Sequence, residues 1–183
     1  MPRAARPLPP IHELRRRLAY RSDGVLIWKQ PHGKRIKPGQ KAGTIGHKGY
    51  LYVKLDYRKL SCHRVIWAIV KREDPMNLSI DHINGDPSDN RIENLRKATH
   101  RQNLSNRRGV KGYSFYEKRQ KWQARIISNG KHSNLGYFDT KEQAREAYLR
   151  AKEKLHGDFM PDYMKHELGQ IDGTTSQLDF FND

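Results

Sequence analysis

One stretch, residues 79–105, constrains the fold of this chain more than any other part. It reads SIDHINGDPSDNRIENLRKATHRQNLS. Two strand candidates surround paired turn signals, in the order 80–83, Asn84-Gly85, Asp86-Pro87 and 92–95. Thr99, with Gln102 three residues later, fits a capping box, so a helix should begin at once. The stretch therefore predicts a β-hairpin followed directly by a short helix.

Four polar residues of this stretch suit the hydrolysis of a phosphodiester: Asp81, His82, Asn94 and Asn103. A histidine with an ordinary pKa of about 6.5 can take a proton from water at neutral pH. A divalent cation on a carboxylate can polarise the phosphate. Because adjacent strand residues point to opposite faces, Asp81 and His82 cannot both face one phosphate from a regular strand. We therefore expect the strand to end or distort there.

These residues resemble the HNH nucleases, and most closely the phage and intron-encoded homing endonucleases that carry D-H-I-N-G, D-N-R and N-L-R. The three motifs stand here at 81–85, 89–91 and 94–96. The resemblance implies a ββα-metal fold that holds one divalent cation, Mg²⁺ or Mn²⁺, between strand and helix. It also implies roles for four residues: His82 as general base, Asn94 as the residue that braces the loop, and Asp81 and Asn103 as metal ligands.

The sequence departs from the usual motif at its last position, where Asn103 stands instead of histidine. Some members of the branch share this residue, and an amide oxygen is a hard ligand suited to Mg²⁺. Two alternatives stay open at this point. The Asp-His pair could be an ordinary hydrogen-bonded surface pair, or the chain could be a degenerate nuclease that only binds DNA.

The charge of the chain favours a polyanionic partner. It has 36 Lys and Arg against 20 Asp and Glu, a formal net charge of +16 over 183 residues. Residues 158–183 carry a net charge of −5, so the rest of the chain carries +21. The resemblance implies that this partner is double-stranded DNA, and we expect no membrane and no small-molecule substrate. A hydrophobic content of only 35% predicts two small modules rather than one large core.

The single cysteine, Cys62, excludes an internal disulfide and a four-cysteine zinc site, so we expect no structural zinc. No apolar run approaches the ~20 residues of a membrane span. The Arg- and Pro-rich start lacks the apolar stretch of a signal peptide. We expect a cytoplasmic protein, and the resemblance implies that a phage or mobile element encodes it.

The first half of the chain divides into a basic N-terminal arm, 1–20, and an HNH nuclease domain, 21–108. The arm contains a helix candidate at 11–20, and either contacts phosphate or is simply solvated.

Within the domain we predict strands at 25–28 and 50–55, joined by a lysine-rich loop, 32–48, and a buried helix at 61–70. The loop, which includes Lys41, would grip the DNA backbone or be merely solvated. The linker residue Arg107 is a further candidate for DNA contact. His63, at the start of the helix, is either catalytic or makes a helix-start hydrogen bond.

A second pattern begins at residue 109. Three short strand candidates, 113–116, 122–127 and 134–138, precede a helix with a Thr140/Gln143 capping box and an end at Gly157. Its apolar stripe would be Ala144, Ala147, Tyr148, Ala151 and Leu155.

This unit, at 109–160, resembles the Apetala-type plant transcription-factor DNA-binding domain through Gly112, Lys121-Trp122, Leu135-Gly136, Phe138-Asp139-Thr140 and His156-Gly157. In that family the sheet lies in the major groove. Strand alternation leaves one face outward, with the DNA-binding candidates Gln123, Arg125, His132 and Asn134. That face could also be simply solvated.

The sequence therefore predicts an α+β protein: a ββα-metal (HNH) nuclease module followed by a three-stranded antiparallel sheet packed on one helix. The predicted function is that of a metal-dependent DNA endonuclease whose second module finds the site. The alternatives are a non-catalytic DNA-binding regulator and an RNA-binding protein. The resemblance of the second module to a domain that binds the major groove of DNA argues against RNA. The acidic tail, 161–183, is expected to fold little and to be dispensable for cleavage.

Overall fold

The computed structural model describes residues 6–31, 35–106, 109–128 and 130–179, with the backbone alone at Ser105 and 173–179. The chain divides into two compact units, 1–103 and 104–183. The predicted α+β class holds at the level of a mixed protein with small antiparallel sheets. The border between the units falls inside the helix that follows the 79–105 hairpin, rather than after residue 108.

The described part of the first unit consists of short helices and of short strands that form three antiparallel sheets. In chain order these are α1 (Ile11–Arg17), β1 (Leu18–Tyr20), β2 (Leu26–Trp28), β3 (Lys41–Ala42), β4 (Thr44–Ile45), β5 (Leu51–Leu55), β6 (Arg58–Ser61), α2 (Cys62–Lys71), β7 (Ser79–His82), β8 (Leu95–Ala98) and α3 (His100–Ser105). The sheets have the strand orders β1-β2-β3, β4-β5-β6 and β7-β8.

The core of the first unit forms around α2. The predicted helix at 61–70 is confirmed, and its residues Val65, Ile66 and Ala68 are fully buried. Leu14 of α1 and Leu18 of β1 belong to the same core. Residues 11–20 are thus part of the folded unit rather than a separate arm, because their apolar side chains complete the surface that covers α2.

Two local predictions in the first unit are wrong. Lys41 does not lie in a loop but in β3, where it pairs with Ile27. The returning strand begins at Leu95 rather than at Ile92, because Ile92–Asn94 form a 3₁₀ turn. The capping box at the start of α3 is confirmed: the Gln102 N–H donates to Thr99 Oγ1 at 3.2 Å.

The described residues of the second unit include one antiparallel sheet and two long α-helices. These are β9 (Tyr113–Tyr116), β10 (Lys121–Ser128), β11 (Lys131–Phe138), α4 (Lys141–His156) and α5 (Asp162–Asp179). The strand order is β11-β10-β9, and the predicted capping box of α4 is confirmed. Gly112 precedes the sheet with φ +77°, and a Cβ there would lie 2.1 Å from the Tyr148 ring, so only glycine fits.

The tail does not behave as predicted, because α5 packs on α4. Met164 and Leu168 of α5 are 0% and 3% exposed, in one cluster with Leu149 of α4. Arg145 of α4 donates two hydrogen bonds of 2.7 Å to the Glu167 carboxylate. Met164 and Leu168 precede Gly169, whereas the prediction of a poorly folded tail was based on the lack of a periodic apolar face in residues 169–183. Phe180 and Phe181, candidates for docking, lie outside the described residues.

The predicted apolar stripe of α4 is confirmed at Ala144 and Tyr148, which are buried, but not at its C-terminal end. Leu149 is fully buried, whereas Leu155, predicted in the apolar stripe, is 47% exposed. In the described residues, no helix, α5 included, is both long and apolar enough to cross a membrane.

We predict that Leu168→Ala lowers the free energy of unfolding by about 2–5 kcal/mol, because it leaves a cavity between α4 and α5. Leu155→Ala, the same change at an exposed helical position, should cost less than about 1 kcal/mol. Chemical denaturation monitored by circular dichroism measures both. Equal, small losses would mean that α5 does not contribute to the core.

Candidate active site

The hairpin β7-β8 positions the polar residues of the 79–105 stretch. In its register Asp81 lies opposite Arg96, and His82 lies opposite Leu95. β7 ends at His82, as expected, and the chain turns there: the Gly85 N–H donates to the His82 carbonyl at 2.9 Å. Asp81 and His82 are both buried, at 6% and 5% exposure, and each has its own set of partners.

His82 is held by a buried amide. Its Nε2 lies 3.1 Å from Oδ1 of Asn90, which is only 2% exposed. The Asn90 Nδ2 donates to the Ser88 carbonyl at 3.3 Å, which fixes the orientation of the amide. Since an amide oxygen can only accept, Nε2 carries the proton and Nδ1 carries the lone pair. Burial lowers the pKa of His82, although the Asn90 bond and nearby Asp81 oppose this.

Two further aromatic side chains surround His82. The His63 ring, from the start of α2, meets it edge-on with centroids 5.3 Å apart, and the Tyr50 ring lies 5.9 Å away. The buried His63 Nδ1 has no hydrogen-bond partner in the part of the chain that the structure describes. Burial lowers the pKa of His63 to about 3, with a further contribution from His82. His63 is therefore a neutral neighbour of His82, and Nδ1 makes no helix-start hydrogen bond.

Asp81 forms an ion pair across the hairpin. Nε and Nη2 of Arg96 both lie 3.0 Å from Oδ2 of Asp81. This contact orients the carboxylate and offsets the cost of its burial.

Within the described ranges, no group of three or more His, Cys, Asp or Glu could hold a metal ion. The remaining oxygen donors proposed from sequence are the Asp81 carboxylate and the half-buried Asn103 amide of α3. Such hard oxygen ligands, completed by water and phosphate, are what Mg²⁺ accepts. The donor chemistry therefore fits a hard divalent cation.

Asn94 braces the loop between the two strands. Its Oδ1 accepts from the Asn84 N–H at 2.9 Å, and its Nδ2 donates to Asn84 Oδ1 at 3.0 Å and to the Asp89 carbonyl at 2.8 Å. Asp89 in turn pairs with Arg91, whose hydrogen bond lowers the pKa of Asp89 to about 2. The loop that carries Asn90 is thus held at both ends.

Sequence reasoning missed Asn90, Arg96 and Tyr50 as neighbours of the site. Asn90 lies in the D-N-R motif and Arg96 in the N-L-R motif. Nothing in the sequence indicates that Asn90 contacts His82 or that Arg96 contacts Asp81. Cys62, next to His63, is no candidate nucleophile, because burial raises the pKa of its thiol to about 12.

The second unit brings most of its predicted DNA-binding residues onto one sheet. Arg125 is exposed and lies opposite Asn134, and His132 lies opposite Ile127. Some of their polar atoms are engaged: Gln123 Nε2 donates to the Tyr137 hydroxyl at 3.1 Å, and Asn134 Oδ1 accepts from the Gly136 N–H at 3.2 Å. Arg107 lies outside the described residues.

Comparisons with known proteins connect this geometry to a family. The family described as HNH endonuclease matches residues 61–105. Protein 3.8 of Escherichia phage T7 is 31% identical over 110 residues, which are 56% of this chain and 90% of that protein. An uncharacterized HNH endonuclease of Acanthamoeba polyphaga mimivirus is 32% identical over 122 residues, 63% of each chain, so this chain spans less than two thirds of that relative. No solved structure matches. The chain belongs to the same family as phage T7 protein 3.8 and carries an HNH endonuclease domain.

Proposed function

We propose that the protein is a metal-dependent endonuclease that hydrolyses phosphodiester bonds in double-stranded DNA, with β7, β8 and α3 as its ββα-metal unit. The observation that carries this proposal is the buried His82, held through Nε2 by Asn90 beside the Asp81 carboxylate. A neutral, oriented imidazole next to a carboxylate is the pair that metal-assisted hydrolysis needs.

His82 acts as the general base through Nδ1. Asn90 keeps the proton on Nε2, so the lone pair of Nδ1 is available to the attacking water. The lowered pKa of His82 keeps the ring neutral at neutral pH. Asn94 keeps the loop that presents Asn90 in place.

Asp81 and Asn103 would hold the divalent cation, which neutralises the phosphate and stabilises the leaving oxygen when it is bound. Arg96 fixes the orientation of the Asp81 carboxylate through its contact with Oδ2. This arrangement needs no protein ligands beyond the carboxylate and the amide, because Mg²⁺ usually keeps several waters.

DNA is the substrate that the charge supports. The net charge is +16, and the exposed residues Lys41 and Arg125 carry part of it in the two units. The second unit acts as an Apetala-type module whose outer sheet face, with Arg125, Gln123, His132 and Asn134, reads base edges in the major groove.

A second candidate function is non-catalytic DNA binding by a degenerate nuclease. The Asp81–Arg96 ion pair favours it, because a guanidinium already neutralises the proposed metal-binding carboxylate. Mg²⁺-dependent nicking of DNA by the wild-type protein separates the two candidates.

We predict that His82→Ala reduces plasmid nicking by a factor on the order of 10² or more, as expected for the loss of a general base, with nearly unchanged DNA affinity. His12→Ala, at a side chain that is 79% exposed, is the matched control and should leave the rate unchanged. Nicking assays in Mg²⁺ and in EDTA, together with binding isotherms, measure both properties. Equal losses of rate and affinity in His82→Ala would show that His82 is not the general base.

We predict that Asp81→Ala and Asn103→Ala shift the Mg²⁺ dependence of nicking to higher concentrations, because each removes one oxygen ligand. Asn77→Ala, at an exposed position of the same unit, should not shift it. Metal titrations of the nicking rate test this. Titration curves identical to wild type would show that the ligand set is wrong.

We predict that Asn90→Ala slows nicking about tenfold at saturating DNA and leaves affinity unchanged, because His82 loses the bond that fixes its proton. Asn90→Asp keeps an acceptor oxygen and should retain the Nε2–H form. Long-range ¹H–¹⁵N spectra of the histidines in the metal-free protein report the tautomer of His82 directly. An unchanged tautomer in Asn90→Ala would mean that Asn90 supports only the loop.

We predict that Arg125→Ala relaxes sequence preference, at a cost of about 1–3 kcal/mol at one base position, because a guanidinium offers guanine two parallel donors. Lys41→Ala should weaken binding to all sequences alike and lower the salt slope by about one counterion. Binding to a randomised site library at two salt concentrations separates these effects. A uniform loss of affinity in Arg125→Ala would make the sheet an electrostatic anchor only.

A further inference from the structure

The turn between β5 and β6 has an unusual residue at its tip. Leu55 pairs with Arg58, so only Asp56 and Tyr57 form the turn, with φ of +45° and +62°. Two-residue turns with two positive φ angles strongly favour Asn-Gly, because a bulky side chain is strained there. Tyr57 is nevertheless the second of the two central residues, and it is 91% exposed. The packing of the unit therefore gives no reason for an aromatic residue at this position.

A second unfavourable feature, a pair of like charges, lies next to the residue pair that closes the turn. Lys54 and Lys59 are both exposed and stand opposite each other in the β5-β6 register. Like charges directly opposite in a sheet repel each other. The Lys59 ammonium lies 4.1 Å from the centroid of the Tyr52 ring, so its stem is held against the hairpin. A polyanion at this surface would relieve the repulsion.

The turn is anchored from within the first unit. Arg17, with a side chain that is 10% exposed, contacts Asp56 Oδ1 at 2.6 Å. This ion pair fixes the acidic half of the turn against the body of the unit and leaves the Tyr57 ring pointing away from it into solvent. A rigid tip loses less conformational entropy on binding than a flexible loop.

We propose that Tyr57 is a wedge that stacks on a DNA base, while Lys54 and Lys59 contact the adjacent phosphates. This inference rests on the proposed function, since it takes DNA as the partner. Aromatic side chains in a positively charged setting stack on bases of any sequence. Side chains inserted between base steps also unstack them and bend the duplex. Backbone strain retained at an exposed residue is typical of sites that contact a partner.

The position of the tip relative to His82 follows from β5. Tyr50, directly before this strand, contacts the His82 ring at 5.9 Å. The seven steps from Tyr50 to Tyr57 span at most about 23 Å at about 3.3 Å per residue. With a rise of about 3.4 Å per base pair, the wedge contacts DNA within on the order of ten base pairs of the cleaved phosphate.

The experiment first maps the nick of the full chain on plasmid DNA. A duplex across that site then carries 2-aminopurine at successive positions up to ten base pairs on either side, in EDTA so that it stays intact. We expect wild type and Tyr57→Phe to raise the fluorescence at one position. Tyr57→Gly should lose this signal and about tenfold in affinity, while its melting temperature rises because glycine fits the turn.

Two variants make the outcome decisive. Met76→Gly is the matched control, because Met76 is 64% exposed and has φ +54° in the same unit. It should become more stable and keep the signal. Tyr57→Asn tolerates a positive φ but cannot stack, so it tests the wedge even if Tyr57→Gly folds poorly.

Retention of both signal and affinity in Tyr57→Asn or in Tyr57→Gly would overturn the inference and assign the tip to another partner, such as a protein. Loss in Tyr57→Phe would overturn stacking in favour of a hydroxyl contact. A wild-type protein that neither binds nor nicks DNA would instead contradict the proposed function itself.

Discussion

The pairing of β7 with β8 is the constraint on which the candidate site depends. Its register takes two adjacent ionisable residues out of water and turns them to different partners. A buried carboxylate is costly unless it is paired, and a buried imidazole is favoured in its neutral form. Arg96 therefore accompanies Asp81, and Asn90 accompanies His82. A slip of one residue in this register would exchange the faces and separate both pairs.

Much of this arrangement could be predicted because it is local. The turn signals after Ile83 and the two capping boxes depend on residues within four positions of each other, and the structure has the turn and both caps. The strand end at His82 was expected from side-chain alternation together with the requirement that Asp81 and His82 act on one phosphate. Asn94 as a brace came from a resemblance, and its three hydrogen bonds span five to ten residues.

What could not be predicted depends on distant packing. The contact of His63 with His82 brings together residues from α2 and β7, and no periodicity in the sequence indicates it. The partner of His82 is Asn90, which the sequence offered only as the middle residue of the D-N-R motif. The error at α5 has the same origin: Met164 and Leu168 are too few to indicate a buried face until α4 offers Leu149 to pack against. Propensity and period describe an element by itself, whereas its partner decides which face is buried.

The net charge overstates what the second unit offers to DNA. Arg145 is committed to Glu167 and to the carbonyls of Val110 and Lys111, and Arg150 contacts Asp172 at 2.7 Å. Helix α5 thus pairs with two cations of α4, Arg145 and Arg150. Arg125, on the outer sheet face, is exposed. Two acidic residues of the tail therefore reduce the positive charge that α4 offers to a polyanion, an effect that the net charge of the whole chain does not indicate.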